Sequence, residues 1–347
     1  MVKFKKYSET VEFHSPKNQF KKTKINLEIR EDPLTGFRSI INEYLVNKRG
    51  LLYPDTDYEY LDYIGDRSKK FCFMCDHRLE KMTPYYPEDF LEQGRLKYQD
   101  AVLFPNLYPL SKFHAVIRLT SDHFKKLGEI NSKMVFNGLK LAFDFLKKSF
   151  DYDKRYNYPT INANFMFPSG ASATHPHFQI INFLVPSTFH QLLLDRSKEY
   201  YEKYGSCYFI DLIKKEKELN KRYIGEIGDG VWISAYSPMG RNEVQIIWPK
   251  KENFFHFTEK DIKDLSEGLE KLFIYFHSKK ISTYNFSLLS GPLNEKAPYF
   301  RCIMKIVNRQ NVVKHHRTDD YFLQKILKNE LSEITPEDLA KEIREIF

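Results

Sequence analysis

The strongest constraint on the fold is an internal repeat of predicted elements, in which residues 102–119 are matched by residues 231–248. Both stretches, VLFPNLYPLSKFHAVIRL and VWISAYSPMGRNEVQIIW, have the pattern of two strands joined by a turn. Apolar residues at helical spacing follow each of them, over 123–150 and 257–280. Strand character then returns in TINANFMFPSG and TYNFSLLSGPL. We therefore predict an α+β fold of two tandem units, each a mostly antiparallel sheet with packed helices.

The ends of these units divide the chain into three parts. Residues 1–186 hold the first unit, residues 187–223 form a charged helical connector, and residues 224–347 hold the second unit with a helical tail. We expect the second unit to be degenerate, because its segment APYFRCIMKI has Ala297 and Tyr299 where THPHFQIINF of the first unit has two histidines. The chemistry is therefore expected in the first unit.

Composition and charge narrow the class of protein. The net charge is +8, but the basic residues are spread along the chain, which predicts solvated faces, with a basic cleft for phosphate-bearing ligands as the alternative. No apolar stretch is long enough for a transmembrane span, and the N-terminus has no apolar signal-peptide region, so we expect no membrane partner. The aromatic residues beside lysines lack the spacing of nucleic-acid-binding motifs, so no nucleic acid is expected either.

Two histidines lie one residue apart in GASATHPHFQ (170–179), just ahead of the apolar run IINFLV. Alternate side chains of a strand point to the same face, so His175, His177 and Gln179 would share one face. The loop before them, SGAS (169–172), is rich in backbone N–H groups that could hold phosphate oxygens. Imidazole can attack phosphorus to form a covalent intermediate, and Gln179 could donate to a phosphate oxygen. His-x-His alone also occurs at structural positions, and the loop and the glutamine favour phosphate transfer here.

Cys72 and Cys75 form a Cys-x-x-Cys pair, and this spacing indicates metal or redox chemistry. Tetrahedral zinc needs two further ligands beyond the pair. The candidates are His77, His114, His123 and one histidine of the HPH segment. Two buried thiols without a metal are the structural alternative, and no βαβ pattern supports a thioredoxin-like pair. Because four cysteines in a chain of this length make no disulfide framework, we expect a cytoplasmic protein.

Five stretches, in this order, resemble galactose-1-phosphate uridylyltransferase and its relatives, the nucleotidyl-histidine branch of the histidine-triad superfamily. They are DPLTG (32–36), the pair Cys72 and Cys75, FPN (104–106), TSDH (120–123), and Asn164 followed by GAS (170–172) and HPHFQ (175–179). The likeness is specific in the first half of the chain and loose in the second. It implies two tandem histidine-triad-like units and nucleotidyl transfer through a covalent histidine adduct.

The resemblance also implies a role for each matched residue. His177 would be the nucleophile that takes the nucleoside monophosphate, and Gln179 would contact the phosphates. The other residues implied at the nucleotide are Asn106, Asn164, Gly170 and Ser172. The implied ligands of a structural zinc ion (Zn2+) are Cys72, Cys75, His123 and His175. The resemblance thus favours His123 over His114, a choice that the residues alone leave open.

The sequence departs from the family pattern at three places, which concern the strand after the histidines, a second metal and the acceptor. Phe178 replaces a glycine between the second histidine and the glutamine, and we expect its side chain on the face opposite the histidines. APYFRCIMK contains no histidine, so no second metal is expected. The family's hexose-phosphate residues have no clear match in HHRTDDYFLQKILKNE. The segment KHHR (314–317) could hold an acceptor phosphate or form a basic surface turn.

The predicted function is nucleotidyl transfer by double displacement. The donor would be a nucleotide sugar or another nucleoside diphosphate compound, and the acceptor a sugar 1-phosphate or inorganic phosphate. The missing hexose contacts favour phosphate, which would make the enzyme a phosphorylase. The alternatives are a dinucleoside polyphosphate phosphorylase and a non-catalytic nucleotide-binding protein on the same fold. The resemblance further implies a homodimer.

Overall fold

The computed structural model describes residues 2–315 and 318–347, so the KHHR segment lies partly outside the described residues. The strands are β1 (Lys5–Ser15), β2 (Lys21–Glu31), β3 (Arg38–Asn42), β4 (Leu96–Tyr98), β5 (Ala101–Pro105), β6 (Phe113–Arg118), β7 (Tyr158–Phe165), β8 (His177–Phe183), β9 (Tyr223–Ile227), β10 (Gly230–Ser234), β11 (Arg241–Ile247), β12 (Tyr284–Leu289), β13 (Ile303–Asn308) and β14 (Asn329–Ser332). The helices are α1 (Glu43–Val46), α2 (Tyr58–Lys69), α3 (Asp76–Met82), α4 (Ser132–Tyr152), α5 (Thr188–Tyr204), α6 (Tyr208–Leu219), α7 (Glu259–Ser278), α8 (Phe322–Lys325) and α9 (Pro336–Arg344).

Ten of these strands form one sheet in the order β4-β5-β6-β8-β7-β12-β13-β11-β10-β9. The second half of this strand order repeats the first half in reverse, so that β7, β8, β6, β5 and β4 correspond to β12, β13, β11, β10 and β9. The two halves meet where β7 pairs with β12. All of its strand pairs are antiparallel. The predicted α+β fold of two tandem, mostly antiparallel units is therefore confirmed. The bounds 1–186, 187–223 and 224–347 stay a prediction, because the sheet continues from one unit into the next.

Strand register corrects the expected alignment of the two units. Gln179 on β8 pairs with Asn162 on β7, Asn162 pairs with Ser287 on β12, and Ser287 pairs with Lys305 on β13. Along this row, Lys305 on β13 of the second unit occupies the position that Gln179 has on β8 of the first unit. Two residues earlier on each strand, Ile303 therefore occupies the position of His177. The expected match of APYF to the HPH segment is therefore wrong by a few residues, because the loops before β8 and β13 differ in length. The second unit still has no histidine at this place.

The long helices α4 and α7 cover one face of the ten-stranded sheet and pack against each other. Each carries a glycine at the point of closest approach. A Cβ on Gly138 would lie 2.3 Å from Cδ2 of Leu119, and a Cβ on Gly268 would lie 2.3 Å from Cζ2 of Trp232. The absence of a side chain at both positions therefore lets the helices lie close to the sheet, and the pocket described below occupies the other face.

The predicted helix over 123–150 begins later than expected. Residues 123–131 contain only a short 3-10 turn, and α4 starts at Ser132 because the side chain of Asn131 accepts a hydrogen bond from the N–H of Met134 and caps the helix. The apolar residues before this cap, such as Leu127, are buried without being helical. Tertiary packing rather than helical periodicity explains their spacing.

The C-terminal tail is only partly helical. A helical tail was expected, and α8 and α9 lie in it. Asn329–Ser332 instead form β14, which pairs in parallel with β3 and completes a second sheet of order β1-β2-β3-β14. Thr335 caps α9 by accepting from the N–H of Asp338. The connector 187–223 contains α5 and α6, as its composition indicated. Among the described residues, no helix combines the length and the apolar character that crossing a bilayer requires.

Candidate active site

The two ring nitrogens of His177 have different surroundings. Nδ1 lies 2.8 Å from the backbone carbonyl oxygen of His175, so Nδ1 carries the proton and donates it to that oxygen. Nε2 is then the unprotonated nitrogen, and within residues 2–315 and 318–347 it makes no hydrogen bond. Burial lowers the pKa of His177, which favours the neutral ring. The arrangement leaves one imidazole lone pair without a protein partner at the first residue of β8.

Gln179, two residues further along β8, is oriented by His114. Nδ1 of His114 accepts a hydrogen bond from the N–H of Leu110 at 3.0 Å, which leaves the proton on Nε2. Nε2 donates to Oε1 of Gln179 at 3.0 Å. Because the oxygen of the Gln179 amide is occupied in this way, its NH2 group is the end that can donate to a ligand. Asn106 lies beside the same ring, with its Nδ2 atom 3.2 Å from Nε2 of His114.

Asn164, on β7, is fixed by residues of the second unit. Nδ2 of Asn285 donates to Oδ1 of Asn164 at 2.6 Å and to the carbonyl oxygen of Ser169 at 2.9 Å. Oδ1 of Asn285 in turn accepts from Nη1 of Arg309 at 2.9 Å, and Arg309 forms an ion pair with Asp319 at 2.8 Å. The second unit therefore orients an amide and a loop that belong to the first unit.

The loop before the HPH segment does not form the expected nest of free N–H groups. The N–H groups of Ser169, Gly170 and Ala171 donate to carbonyl oxygens of the same loop, at 3.0, 2.9 and 3.4 Å. Gly170 ends this tight turn with a φ of +87°, a value that favours glycine. Ser172 is exposed, and in the part of the chain that the structure describes its N–H makes no hydrogen bond. Of the four N–H groups in SGAS (169–172), that of Ser172 is thus the one left to meet a phosphate oxygen.

The histidines of the HPH segment do not lie along one strand as expected. Strand β8 starts at His177, and His175 lies in the bend before it, where its side chain is fully buried. Pro176, between the two histidines, explains why β8 starts at His177, because a proline has no N–H to donate to the sheet. Its carbonyl oxygen still accepts from the N–H of Leu119 at 3.0 Å. Phe178 faces the helices as expected, with its ring 5.2 Å from that of Phe286.

Four side chains that we expected as zinc ligands lie together. One ligand atom from each of Cys72, Cys75, His123 and His175 lies within 4.8 Å of the others, and all four residues are buried. Sγ of Cys72 lies 3.4 Å from Nδ1 of His175, and Sγ of Cys75 lies 3.4 Å from Nδ1 of His123. Tetrahedral zinc, with its usual bond lengths to sulfur and nitrogen, would separate such atoms by about 3.6 Å. The donor set and its spacing therefore fit a zinc ion.

The second nitrogen of each histidine in this cluster is held by neighbouring groups. Nε2 of His175 donates to the carbonyl oxygen of Thr120 at 2.8 Å, and Nε2 of His123 lies 3.1 Å from the carbonyl oxygen of Gly65. Both Nδ1 atoms are left as acceptors, which is the arrangement usual for histidine ligands. Burial lowers the pKa of His175 to about 4 and raises that of Cys75 to about 11. A buried Cys75 thiolate would therefore need a cation beside it.

A cavity of about 530 Å³ opens beside Gln179 on the face of the sheet opposite α4 and α7. Asn164 and Gln179 belong to its lining, whereas His177, Asn106, Gly170 and Ser172 do not. The cavity extends over β12 and β13, where Ser287 and Lys305 are part of its wall. The structure thus joins two of the expected nucleotide residues to a region of the second unit.

Several residues at this site were not expected from the sequence. Ser68, Thr120 and Arg118 hold the metal-ligand cluster and its loop, Arg118 by donating to the carbonyl oxygen of Met74 at 3.2 Å. Asn285 and Lys305 face the cavity from the second unit. The internal repeat is the sequence signal for both, since their strands repeat β7 and β8. Only the strand register shows that Asn285 pairs with Asn164 and that Lys305 lies in the same row of the sheet as Gln179.

No protein-family model matches the sequence. A protein of Archaeoglobus fulgidus, described only as uncharacterized, is 31% identical over 322 residues, which are 92% of this chain and 92% of that protein. The ADP-glucose phosphorylase of Arabidopsis thaliana is 26% identical over 244 residues, which are 67% of this chain and 64% of the plant protein.

Solved structures show the same fold over most of the chain. The crystal structure of an ADP-glucose phosphorylase from Arabidopsis thaliana with bound ADP-glucose superposes with a TM-score of 0.69 and 20% identity, covering 92% of this chain and 99% of that one. A uridylyltransferase structure gives a TM-score of 0.65 and 21% identity, covering 92% and 97% of the two chains. The chain therefore has the fold of these two solved structures, and it is related in sequence to the Archaeoglobus fulgidus protein over most of both chains.

Proposed function

We propose that the protein is a nucleotidyltransferase that moves a nucleoside monophosphate from a nucleotide sugar to inorganic phosphate through an adduct on His177. The observation that carries this proposal is the hydrogen bond from Nδ1 of His177 to the His175 carbonyl oxygen at 2.8 Å, which leaves the Nε2 lone pair available. The name of the Arabidopsis thaliana relative, ADP-glucose phosphorylase, makes ADP-glucose the first donor to test.

The proposed reaction has two displacements at the α-phosphorus of the donor. In the first, the Nε2 lone pair of His177 forms a bond to phosphorus, and the bond from phosphorus to the bridging oxygen breaks. The bridging oxygen leaves with its electron pair as part of the sugar 1-phosphate. In the second, an oxygen of inorganic phosphate attacks the same phosphorus, the nitrogen–phosphorus bond breaks, and the nucleoside diphosphate leaves with Nε2 free again.

Gln179 would supply the donor that stabilises charge on the phosphate in both steps. Its Oε1 atom accepts from His114, so the NH2 group is directed away from that ring. Donors held in place before the reaction stabilise a developing oxyanion without reorganisation. Ser172, through its free N–H, and Asn164 and Asn106 are proposed to bind the rest of the nucleotide.

We propose that Cys72, Cys75, His123 and His175 bind one zinc ion. Zinc held by four protein ligands has a structural role, because no coordination position remains for a substrate. His175 would connect this structural site to the reaction, since its ring would be a ligand while its carbonyl oxygen holds Nδ1 of His177. The metal would thereby fix the tautomer of the nucleophile.

Two further properties belong to the same proposal. Zinc binding requires Cys72 and Cys75 as thiolates, which supports a cytoplasmic location, where thiols stay reduced. The resemblance to uridylyltransferases supports a homodimer. The sugar 1-phosphate remains the second candidate acceptor, because it leaves in the first step and can return to the adduct by the reverse of that step.

An isotope exchange experiment tests the double displacement. Purified protein is given ADP-glucose and labelled glucose 1-phosphate, with no inorganic phosphate. A covalent intermediate predicts that label enters ADP-glucose, because the adduct reacts with either sugar phosphate. A single displacement predicts no exchange until phosphate is added, and a non-catalytic nucleotide-binding protein predicts binding without exchange. Either of these results would contradict the proposal.

A further inference from the structure

A second cavity, of about 520 Å³, lies at the other end of helix α5 from the cavity beside Gln179. The first cavity is lined by Phe189, at the start of the helix, and the second by Lys203, in its last turn. The helix rises by about 21 Å between these two positions. Among the described residues the two cavities share no lining residue, and no step of the proposed reaction uses the second one.

Three tyrosines line this second cavity, which we name the tyrosine cavity: Tyr200, Tyr204 and Tyr208. Its walls come from the last turns of α5, the DPLTG turn (32–36) and the segment around the start of β1. The ring of Tyr200 lies 4.6 Å from that of Tyr204 and 5.4 Å from that of Tyr208. Tyr204 is the most accessible of the three, with 47% of its surface exposed. The cavity therefore offers an accessible aromatic ring to a ligand.

The buried part of the tyrosine cavity has one donor and one acceptor that the protein leaves unused. Tyr208 is only 3% exposed, and among the described residues its hydroxyl makes no hydrogen bond. Burial and, to a lesser degree, the nearby Asp32 carboxylate raise the pKa of Tyr208, so its hydroxyl stays protonated. Oδ1 of Asp32 accepts from the N–H groups of Leu34 and Thr35, at 3.1 and 2.7 Å, whereas Oδ2 has no partner within residues 2–315 and 318–347. Because buried polar groups are normally hydrogen-bonded, this pair points to a ligand.

Two exposed lysines of the lining have no acidic partner. In the part of the chain that the structure describes, Lys3 and Lys203 form no ion pair. The other cations of the lining are paired, Lys5 with Glu31 at 2.9 Å and Arg196 with Glu199 at 2.7 Å. Nζ of Lys203 lies 5.2 Å from the centroid of the Tyr204 ring. Positive charge is thus available beside the accessible ring.

We propose that the tyrosine cavity binds a nucleoside phosphate, at a site separate from the proposed active site. One ribose hydroxyl would accept from Tyr208 and its neighbour would donate to Oδ2 of Asp32. The base would stack on Tyr204, and the phosphates would pair with Lys203 and Lys3. A volume of about 520 Å³ is in the range of small-molecule sites. Inorganic phosphate would leave the ring and Asp32 unused, and a neutral sugar would leave both lysines unpaired.

Calorimetric titration of the full chain tests this second site. ADP, GDP, UDP and CDP are each titrated up to millimolar concentration. We expect at least one of them to occupy a site that Lys203→Met and Tyr208→Phe each weaken by about fivefold or more, the usual effect of losing one hydrogen bond. Lys198→Met is the matched control, because Lys198 is an exposed lysine of α5 that does not line the cavity. It should bind like the wild type.

The 2′-deoxy form of the same nucleotide tests the ribose contacts. It should bind this site about fivefold more weakly than the ribonucleotide does, because one hydroxyl is missing. Asp32→Asn should remove most of that difference, since its amide oxygen can still serve the turn while its NH2 group replaces Oδ2. Melting temperatures show whether each variant remains folded.

The outcome is independent of the proposed function. His177→Ala should leave this site unchanged, and a protein whose proposed active site binds no nucleotide should still bind one equivalent that Lys203→Met weakens. The proposal is wrong if none of the four nucleotides binds. It is also wrong if every bound equivalent is held as tightly by folded Lys203→Met and Tyr208→Phe as by Lys198→Met.

Discussion

His177 and Gln179 owe their proposed roles to hydrogen bonds made by the atoms that do not meet the substrate. The His175 carbonyl oxygen accepts from Nδ1 of His177, and Nε2 of His114 donates to Oε1 of Gln179. Each hydrogen bond fixes the opposite end of the side chain. For His177 that end is the Nε2 lone pair, and for Gln179 it is the NH2 group. A motif search finds the two residues, but it does not show His114, which lies 65 positions before Gln179.

Replacement of His114 tests the orientation of Gln179. His114→Ala should lower kcat by about tenfold or more, because the Gln179 amide can then rotate and the loss of an oriented donor weakens transition-state stabilisation. KM for the nucleotide sugar should change less than kcat. His114→Gln, whose amide can still donate to Oε1, should recover part of the rate. Steady-state kinetics of the wild type, His114→Ala and His114→Gln measure these changes. If His114 has a purely structural role, both variants should lose kcat equally.

At the scale of elements, β8 and β7 carry the proposed chemistry, while β12, β13 and β14 support it from the second unit. The register that places Asn285 opposite Asn164 depends on strand pairing between the units. Arg309 and its partner Asp319 line a smaller polar cavity together with Glu330, on β14. Burial, the largest cause, raises the pKa of Glu330 to about 7.

The raised pKa of Glu330 predicts a pH dependence of stability. Below the ordinary pKa of 4.5 the group is protonated in the folded and unfolded states alike. Between 4.5 and about 7 the unfolded chain releases the proton more readily, so the wild type loses stability as pH rises. Glu330→Gln does not titrate and keeps an oxygen for the N–H of Leu331. It should match the wild type near pH 4.5 and exceed it at pH 8 by at most about 3 kcal/mol.

Denaturant unfolding at a series of pH values measures this difference directly. Glu59→Gln is a suitable control, because Glu59 lies in the exposed first turn of α2 and far from β14 in sequence. Its unfolding should follow the wild type at every pH. A Glu330→Gln protein that is less stable than the wild type at pH 8 would show that the carboxylate is stabilised, and not penalised, in the folded state.

At the scale of the whole molecule, the repeat of elements was predictable and the details that complete the site were not. Strand alternation and helix periodicity were sufficient for the paired units, because each pattern is local in sequence. The strand β14 and the register of Lys305 depend on packing between distant segments, as does the burial of non-helical residues such as Leu127 before α4. The four residues of the cluster around Cys72 could be proposed from the family resemblance, but the distances between their ligand atoms follow only from the folded chain.

The cluster also ties distant parts of the first unit together, since its four residues come from positions 72 to 175. Metal removal should therefore lower the melting temperature, because a ligand that binds only the folded chain stabilises it. We expect about one zinc ion per chain by elemental analysis. Cys72→Ser should reduce the zinc content and the melting temperature, whereas Cys207→Ser, a buried thiol outside the cluster, should retain the metal. Equal zinc content in both variants would rule out the proposed ligands.

The most direct test of the account is to locate the adduct. The protein is mixed with ADP-glucose labelled at the α-phosphate, denatured in alkali, digested and mapped by mass spectrometry. We predict one labelled peptide, modified at His177 and released by mild acid, as a nitrogen–phosphorus bond requires, and no label in His177→Ala. Label that persists in His177→Ala, or that maps to another residue, would contradict the central claim.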